Sequence, residues 1–219
     1  MDSQTLIDGL IYYLELIILL TLHEFGHAWT AWKCGDDTAR LQGRVSVNPL
    51  VHIDPIGTVL LPLFMIFGSP GVTKFMVGYA KPVPVNPHNL QHPQRDDILV
   101  TMAGPGMNLL LAVLLMALAK VGNLVHSTDM TDICGQMTAL SLLLCFFNLI
   151  PIPPLDGSQV MRVLTNMSLE TYAKLARFGF IAVILVLQIP LVKEVLYSVT
   201  MNSVDLLARL FDVHFSGIA

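Results

Sequence analysis

Charged residues are scarce in this chain. Lys, Arg, Asp and Glu make up 13% of its 219 residues, whereas hydrophobic residues make up 54%. An average soluble domain contains about 25% charged residues, roughly twice this share. The mean hydropathy is high, at +0.66. The composition excludes an ordinary soluble domain and predicts an integral membrane protein whose first partner is the lipid bilayer.

A basic cluster is also missing. The net charge is −4, and the Lys and Arg residues are scattered along the chain. Proteins that bind nucleic acid concentrate positive charge on one face, because that face must neutralise phosphates. The sequence therefore excludes a nucleic-acid partner.

Cysteine is rare as well. Cys34, Cys134 and Cys145 are an odd number, and no two of them have the Cys-x-x-Cys spacing. This excludes a disulfide framework and gives no support to a thiolate zinc site. We expect three free thiols, of which Cys34 lies near enough to the histidine motif described below to be a further candidate metal ligand.

The N-terminus lacks the basic region of a signal peptide and carries Asp2 and Asp8 instead. We therefore expect no cleavable leader, so that the first apolar segment remains in the protein. That segment covers residues 5–33, which as a helix would be about 40 Å long and would cross a bilayer.

The sequence His-Glu-Phe-Gly-His stands at positions 23–27, near the end of this helix. His23 and His27 are four residues apart and share a helical face, so both imidazoles could bind one Zn²⁺ ion. The carboxylate of Glu24 could then take a proton from a water bound to the zinc. Such a short motif also occurs by chance, but two histidines and a glutamate are costly beside an apolar run unless they are paired or functional. The pattern predicts peptide hydrolysis.

Further apolar segments cover residues 98–125, 133–150 and 178–190. Together with the first helix they predict about four membrane-spanning helices. Residues 56–80 contain apolar runs that are too short to cross, and one of them includes Pro62. We therefore expect this region to form a re-entrant hairpin.

The distribution of charge predicts the orientation of the helices. Lys33, Arg40 and Arg44 follow the first helix, whereas acidic residues precede it. The positive-inside rule places the histidine motif on the cytoplasmic side. Residues 81–97 then form a cytoplasmic loop, and segment 133–150 returns the chain to the same face.

Residues 38–53 partly alternate polar and apolar side chains, with breaks at Gly43 and at Asn48-Pro49. This predicts a short β-hairpin near the active site. Its edge could bind an extended substrate, with Asn48 and His52 as substrate-binding residues, or the hairpin could be an ordinary surface feature.

Residues 148–157 read Asn-Leu-Ile-Pro-Ile-Pro-Pro-Leu-Asp-Gly. Three prolines exclude a regular helix, and such backbone is tolerated at membrane depth only inside protein or beside a cavity. Asp156 is the one carboxylate here and the natural third zinc ligand, leaving a fourth position for water. Asp156 could instead cap the helix that follows. His52 is the alternative third ligand, or it could hydrogen-bond backbone.

These features predict an all-α polytopic membrane protein with a re-entrant hairpin and a short β-hairpin. We expect a single transmembrane metalloprotease domain over residues 1–219. Its catalytic core covers residues 5–165, and residues 166–219 form C-terminal helices.

The chain resembles the site-2 protease family of intramembrane zinc metalloproteases, peptidase family M50. The resemblance rests on three motifs: His-Glu-Phe-Gly-His at 23–27, Ala-Gly-Pro-Gly-Met-Asn at 103–108 and Asn-Leu-Ile-Pro-Ile-Pro-Pro-Leu-Asp-Gly at 148–157. The segments at 48–57 and 78–86 are similar to the compact bacterial branch, which lacks PDZ and CBS domains. The resemblance covers residues 5–165.

The resemblance implies one zinc ion per chain, bound by His23, His27 and Asp156. It also implies Glu24 as the general base and Asn148 as a residue that steadies the oxyanion. From its polar side chain within an apolar segment, we also expect Asn108 to line the site as a substrate-binding residue or to bond across helices. The substrate would be a membrane-anchored protein, cut within or beside a bacterial inner membrane.

A rival hypothesis is a polytopic protein that binds or transports metal ions without hydrolysis, using His23, His27 and His52. Glu24 distinguishes the two, because only a protease requires a base at this position.

Overall fold

The computed structural model describes residues 3–68 and 78–215. The chain divides into two compact units, Met1–Asp96 and Asp97–Ala219. Among the described residues, helices are the only regular secondary structure.

Helix α1 (Ser3–Lys33) dominates the first unit. Its 31 residues make it about 46 Å long, which agrees with the apolar segment recognised at 5–33. Buried positions recur every three or four residues along its inner face: Leu16, Leu19, Leu20, His23 and His27. Between residues 10 and 29 the exposed positions are all apolar: Leu10, Ile11, Leu14, Ile18 and Trp29. The helix thus presents apolar side chains outward, as lipid contact requires, and keeps the histidines inside.

The predicted β-hairpin at 38–53 is wrong. In its place the structure has a short helix α2 (Thr38–Leu41) and a single 3₁₀ turn at Pro49–Val51. No described residue belongs to a strand.

The end of α2 explains this failure. Gly43 has a φ of +68°, in the left-handed region that glycine adopts at no steric cost. Its N–H donates to the Arg40 carbonyl, and the Arg44 N–H donates to the Ala39 carbonyl, both over 2.9 Å. These two bonds form a Schellman motif that closes a helix. The glycine therefore ends a helix, whereas the alternation of side chains suggested a break between strands.

A short apolar helix follows in the first unit. A π-helical turn at Pro55–Leu60 continues into α3 (Leu61–Gly68). The Asp54 carboxylate caps its start by accepting from the Ile56 and Gly57 N–H groups. Residues 69–77 of the predicted re-entrant hairpin lie outside the described residues, so the hairpin stays a prediction.

The second unit contains most of α4 (Pro93–Leu124) and all the later helices. These are α5 (Thr128–Asn148), α6 (Asp156–Leu164), α7 (Leu169–Ala176), α8 (Gly179–Leu187) and α9 (Pro190–Phe211). The core is formed by α4, α5 and α9 through small and apolar side chains: Ala112, Met116, Ala119, Cys134, Leu142 and Val204. The three cysteines are free thiols, as predicted.

Three of the described helices, α1, α4 and α5, are long and apolar enough to cross a membrane. The pair α8 and α9 would make a fourth span if counted together, but it is bent by 82°. Pro190 opens α9 at this bend, where the helix needs no N–H from it. The all-α polytopic class fits the structure, and the protein is an integral membrane protein.

Candidate metal centre

His23 and His27 meet on the inner face of α1. Both are buried, with 4% and 8% of their surface exposed. The two Nε2 atoms lie 3.1 Å apart, and the rings meet edge to face with centroids 4.7 Å apart. One turn of helix therefore directs two imidazole nitrogens at a single point.

This geometry fits zinc. Two nitrogens bound to a tetrahedral Zn²⁺ at 2.0–2.1 Å are about 3.3 Å apart. The 3.1 Å between the His23 and His27 nitrogens is close to that separation. Neutral imidazole nitrogens are among the ligands that zinc prefers, and the burial of both rings limits competition from bulk water.

Glu24 is half-buried beside this pair. Its Oε2 accepts a hydrogen bond of 3.1 Å from the backbone N–H of Val83. Two elements distant in sequence thus meet at the carboxylate, and its orientation is set from outside α1.

Asp156 lies in the second unit as the first residue of α6. The N-cap position belongs to Leu155, whose backbone is extended. The alternative in which Asp156 caps this helix is therefore wrong. Gly157 packs against the end of α5, because a Cβ at Gly157 would lie only 2.2 Å from the Leu149 carbonyl oxygen. This close approach fixes where α6 begins, and with it the position of Asp156 in this unit.

Asn148 is the last residue of α5 and half-buried. Its Nδ2 donates over 2.9 Å to the carbonyl of Leu144, one turn earlier. An amide NH₂ group carries two hydrogens, so this bond uses one of them and leaves the other for a second acceptor.

Asn108 lies in α4 and has no exposed surface. Its backbone carbonyl accepts a 2.7 Å hydrogen bond from the Ser141 hydroxyl of α5. This bond is made by the backbone of Asn108, so both roles expected for its side chain, lining the site and bonding across helices, stay predictions.

Asn48 and His52 are occupied by local structure in the first unit. Asn48 is exposed, and its side chain caps the 3₁₀ turn by accepting from the Leu50 N–H. His52 is buried, and its Nε2 donates over 2.8 Å to the Ser46 carbonyl. Burial lowers the pKa of His52, which favours the neutral ring. A metal on His52 would have to bind through Nδ1.

The structure thus brings His23, His27 and Glu24 together in the first unit. Asp156, Asn148 and Asn108 belong to the second unit. Two groups beside Glu24 are not evident from the sequence: the backbone of Val83, and the side chain of Arg44, which binds the residues before Val83. Residue identity does not reveal which backbone N–H groups act as donors. Arg44 by its position in the sequence indicates only a positive charge after the first helix.

The comparisons with known proteins agree with the motifs. A model of the family described as Peptidase family M50 matches residues 11–125 and 116–187. The chain is 34% identical over 213 residues to the Bacillus subtilis (strain 168) protein named "Putative zinc metalloprotease YwhC", covering 94% of this chain and 92% of that protein.

Two further relatives are longer. The chain is 33% identical over 186 residues to the Mycolicibacterium smegmatis protein named "Putative zinc metalloprotease Rip2". This match covers 80% of this chain and 65% of that protein. It is 26% identical over 157 residues to "Stage IV sporulation protein FB" of Bacillus subtilis (strain 168), covering 72% of this chain and 51% of that protein. No solved structure matches the chain.

The family model matches most of the chain, and the identity to YwhC extends along nearly its full length. Both findings agree with the buried histidine pair on an apolar helix. The chain therefore belongs to peptidase family M50, the site-2 protease family of zinc metalloproteases.

Proposed function

We propose that the protein is a zinc-dependent intramembrane endopeptidase that hydrolyses peptide bonds of membrane-anchored proteins. The observation that carries the proposal is the 3.1 Å approach of the His23 and His27 Nε2 atoms on the inner face of a helix long enough to span the bilayer. A buried imidazole pair of this kind, with a glutamate beside it, is the arrangement that metal-assisted hydrolysis needs.

One zinc ion per chain is proposed, with Asp156 as its third protein ligand. A catalytic zinc site has three protein ligands and one open position, and two histidines with one carboxylate are a common set. Asp156 follows the proline-rich break after α5, which supports a place at a cavity at membrane depth. Zinc, when bound, would polarise the substrate carbonyl and make water more acidic.

The protein side chains supply the remaining steps. Glu24 would accept the proton of the attacking water and later return it to the leaving amine, as a general base and then a general acid. The free hydrogen of the Asn148 amide would donate to the carbonyl oxygen as that oxygen gains negative charge. Both roles require the side chain to be held in one orientation before the substrate arrives.

The substrate and the setting follow from the membrane. A site formed on a spanning helix can meet only chains that enter the bilayer or run along it, so membrane-anchored proteins are the substrate class. The bacterial relatives support the bacterial cell membrane, and the positive charges after α1 support a site near its cytoplasmic face. We take residues 1–219 as one protease domain with its core at 5–165.

The function can be tested without knowing the substrate. Membranes from cells that express the wild type, Glu24→Gln or the control Glu170→Gln would be compared by chemical labelling of new protein N-termini and mass spectrometry. We expect new termini within or beside transmembrane segments in the wild type and the control, and their absence in Glu24→Gln. Glu170 is a suitable control because it is an exposed glutamate in α7. Equal termini in all three would contradict the proposal and favour a metal-binding or transport protein.

A further inference from the structure

An extended segment of the first unit runs past the Glu24 carboxylate. This segment, residues 81–86, has no regular secondary structure. It is held at both ends by hydrogen bonds: the Lys81 N–H donates over 2.9 Å to the His52 carbonyl, and the Asn86 N–H donates over 2.7 Å to the Asp36 carboxylate. These contacts with His52 and Asp36 hold the segment in place, and neither residue belongs to the histidine motif at 23–27.

Arg44 holds the first half of the segment. Its Nη2 donates to the carbonyl of Lys81, and over 3.3 Å to the carbonyl of Pro82. The residue is only 4% exposed, which is rare for arginine and indicates a fixed position. The Schellman motif at Gly43 sets the direction in which the chain continues into Arg44.

Val83 offers the one N–H of the stretch 82–84, because proline has none. That N–H is the group that bonds Glu24 Oε2. Pro84 restricts Val83 itself to an extended conformation, and the ring of Pro82 fixes the φ of the residue before Val83, so the donor is held in place. The sequence Pro-Val-Pro thus provides a single, rigid hydrogen-bond donor for the carboxylate.

We propose that Arg44 is a positioning residue for Glu24: by holding the carbonyls of Lys81 and Pro82, it presents the Val83 N–H to one carboxylate oxygen. The inference rests on the proposed function, in which Glu24 is the base.

The chemical effect of this contact is on orientation. An ionised carboxylate has two equivalent oxygens and rotates easily, so an unrestrained Glu24 would present either oxygen in several directions. With a backbone donor bound to Oε2, the other oxygen, Oε1, would be left to accept the proton of the attacking water in the proposed hydrolysis. The charge of Arg44 also lies close enough to attract that of Glu24.

The test uses the full chain reconstituted in lipid vesicles and two pairs of variants. Val83→Pro removes the N–H and keeps an extended backbone, and Val85→Pro is its matched control, since Val85 also follows a proline and has no hydrogen bond from its N–H within the described residues. Arg44→Met removes the guanidinium at similar length, and Arg44→Lys restores a donor with positive charge. Glu24→Gln serves as the reference for the base.

The first measurement is amide hydrogen exchange of the fragment containing residues 81–86. This fragment has few amides, and Val83→Pro identifies the contribution of Val83. We expect Arg44→Met to speed exchange at Val83 about tenfold or more, Arg44→Lys to restore part of the protection, and Asn86 to remain protected by Asp36 in both. Unchanged exchange at Val83 in Arg44→Met would overturn the role of Arg44, whether or not the protein is a protease.

The second measurement is cleavage of a quenched-fluorescence transmembrane peptide, with zinc content and melting temperature measured on the same samples. We expect Val83→Pro and Arg44→Met to lower kcat by about 10- to 100-fold with KM and zinc content nearly unchanged, and Val85→Pro to match the wild type. If Val83→Pro and Val85→Pro had equal kcat while Glu24→Gln was inactive, the inference about Arg44 and Val83 would be overturned, and the proposed protease function would stand. If Glu24→Gln were as active as the wild type, or if neither cleaved the peptide, the result would count against the proposed function. The hydrogen-exchange data would still show whether Arg44 holds the Val83 N–H in place.

Discussion

The Nε2 atoms of His23 and His27 lie 3.1 Å apart on the buried face of α1. Because zinc brings two imidazole nitrogens to about this separation, the pair is already arranged for metal binding by the helix itself. We expect His27→Ala to reduce zinc affinity by roughly tenfold or more. Zinc content after competition with a chelator measures this, and His88→Ala, an exposed histidine in a 3₁₀ turn, is the control. Equal zinc retention in both variants would place the metal elsewhere.

Asp156→Ala tests the third ligand. If Asp156 binds zinc, the variant should hold zinc roughly tenfold less tightly, because one of three protein ligands is lost. The matched control is Asp129→Ala, which removes an exposed carboxylate from the first turn of α5 in the same unit. Wild-type zinc affinity in Asp156→Ala would direct attention to His52 or Cys34 as the ligand.

Asn148→Ala tests oxyanion stabilisation. Loss of such a donor should lower turnover by about 10²- to 10³-fold while zinc content stays at the wild-type level. The variant also loses the bond to the Leu144 carbonyl, which is half-buried, so melting temperature must be measured beside the cleavage rate. A stable, zinc-loaded variant that cleaves at the wild-type rate would rule out this role.

Gly157→Ala tests the packing that fixes the start of α6. The added Cβ would lie 2.2 Å from the Leu149 carbonyl oxygen, and backbone cannot yield as a flexible side chain does. We expect a loss of about 1–3 kcal/mol in stability, seen as a lower melting temperature. Gly106→Ala is the control, since nothing lies within 4 Å of a Cβ at that position of α4. Similar melting temperatures for the two variants would show that α6 tolerates a shift.

Asp36 gives the first unit a predictable response to acid. Burial by itself raises the pKa of Asp36, but hydrogen bonds from Thr38, Asn86 and Asn89 outweigh burial and hold that pKa below its ordinary value. A carboxyl with a lower pKa in the folded state contributes stability that is complete above its unfolded pKa, about 4, and is lost as the pH falls through the folded pKa.

We therefore expect Asp36→Ala to lower stability by about 1–3 kcal/mol at pH 7, and this difference from wild type to shrink below about pH 4. Thermal unfolding in detergent at pH 7 and pH 3 measures it. Asp37→Ala, an exposed neighbour, should change little at either pH. A difference that grows on acidification would contradict the assignment.

The long helices were predictable because the bilayer imposes their length. Segments recognised at 98–125 and 133–150 are found as Pro93–Leu124 and Thr128–Asn148. The segment expected at 178–190 is found as the short helix Gly179–Leu187, and the chain bends by 82° before the next helix begins at Pro190. Proline is well suited to the first turn of a helix, so it starts the new helix there.

The details beside the motif were not predictable from the pattern. The hairpin prediction failed at Gly43, whose positive φ closes a helix. The contact of Val83 with Glu24 joins residues 59 apart in sequence through a backbone atom, which side-chain periodicity does not report. The histidine pair needed no tertiary information, because helical geometry alone places residues i and i+4 together.

The zinc content and the zinc-edge X-ray absorption spectrum of the purified protein test the central claim most directly. We expect one zinc per chain, surrounded by two imidazole nitrogens and by oxygen ligands. In His23→Ala we expect less bound zinc, and one imidazole instead of two on the zinc that remains. Absence of zinc after purification without chelator, or a spectrum with sulfur ligands and no imidazole, would contradict it.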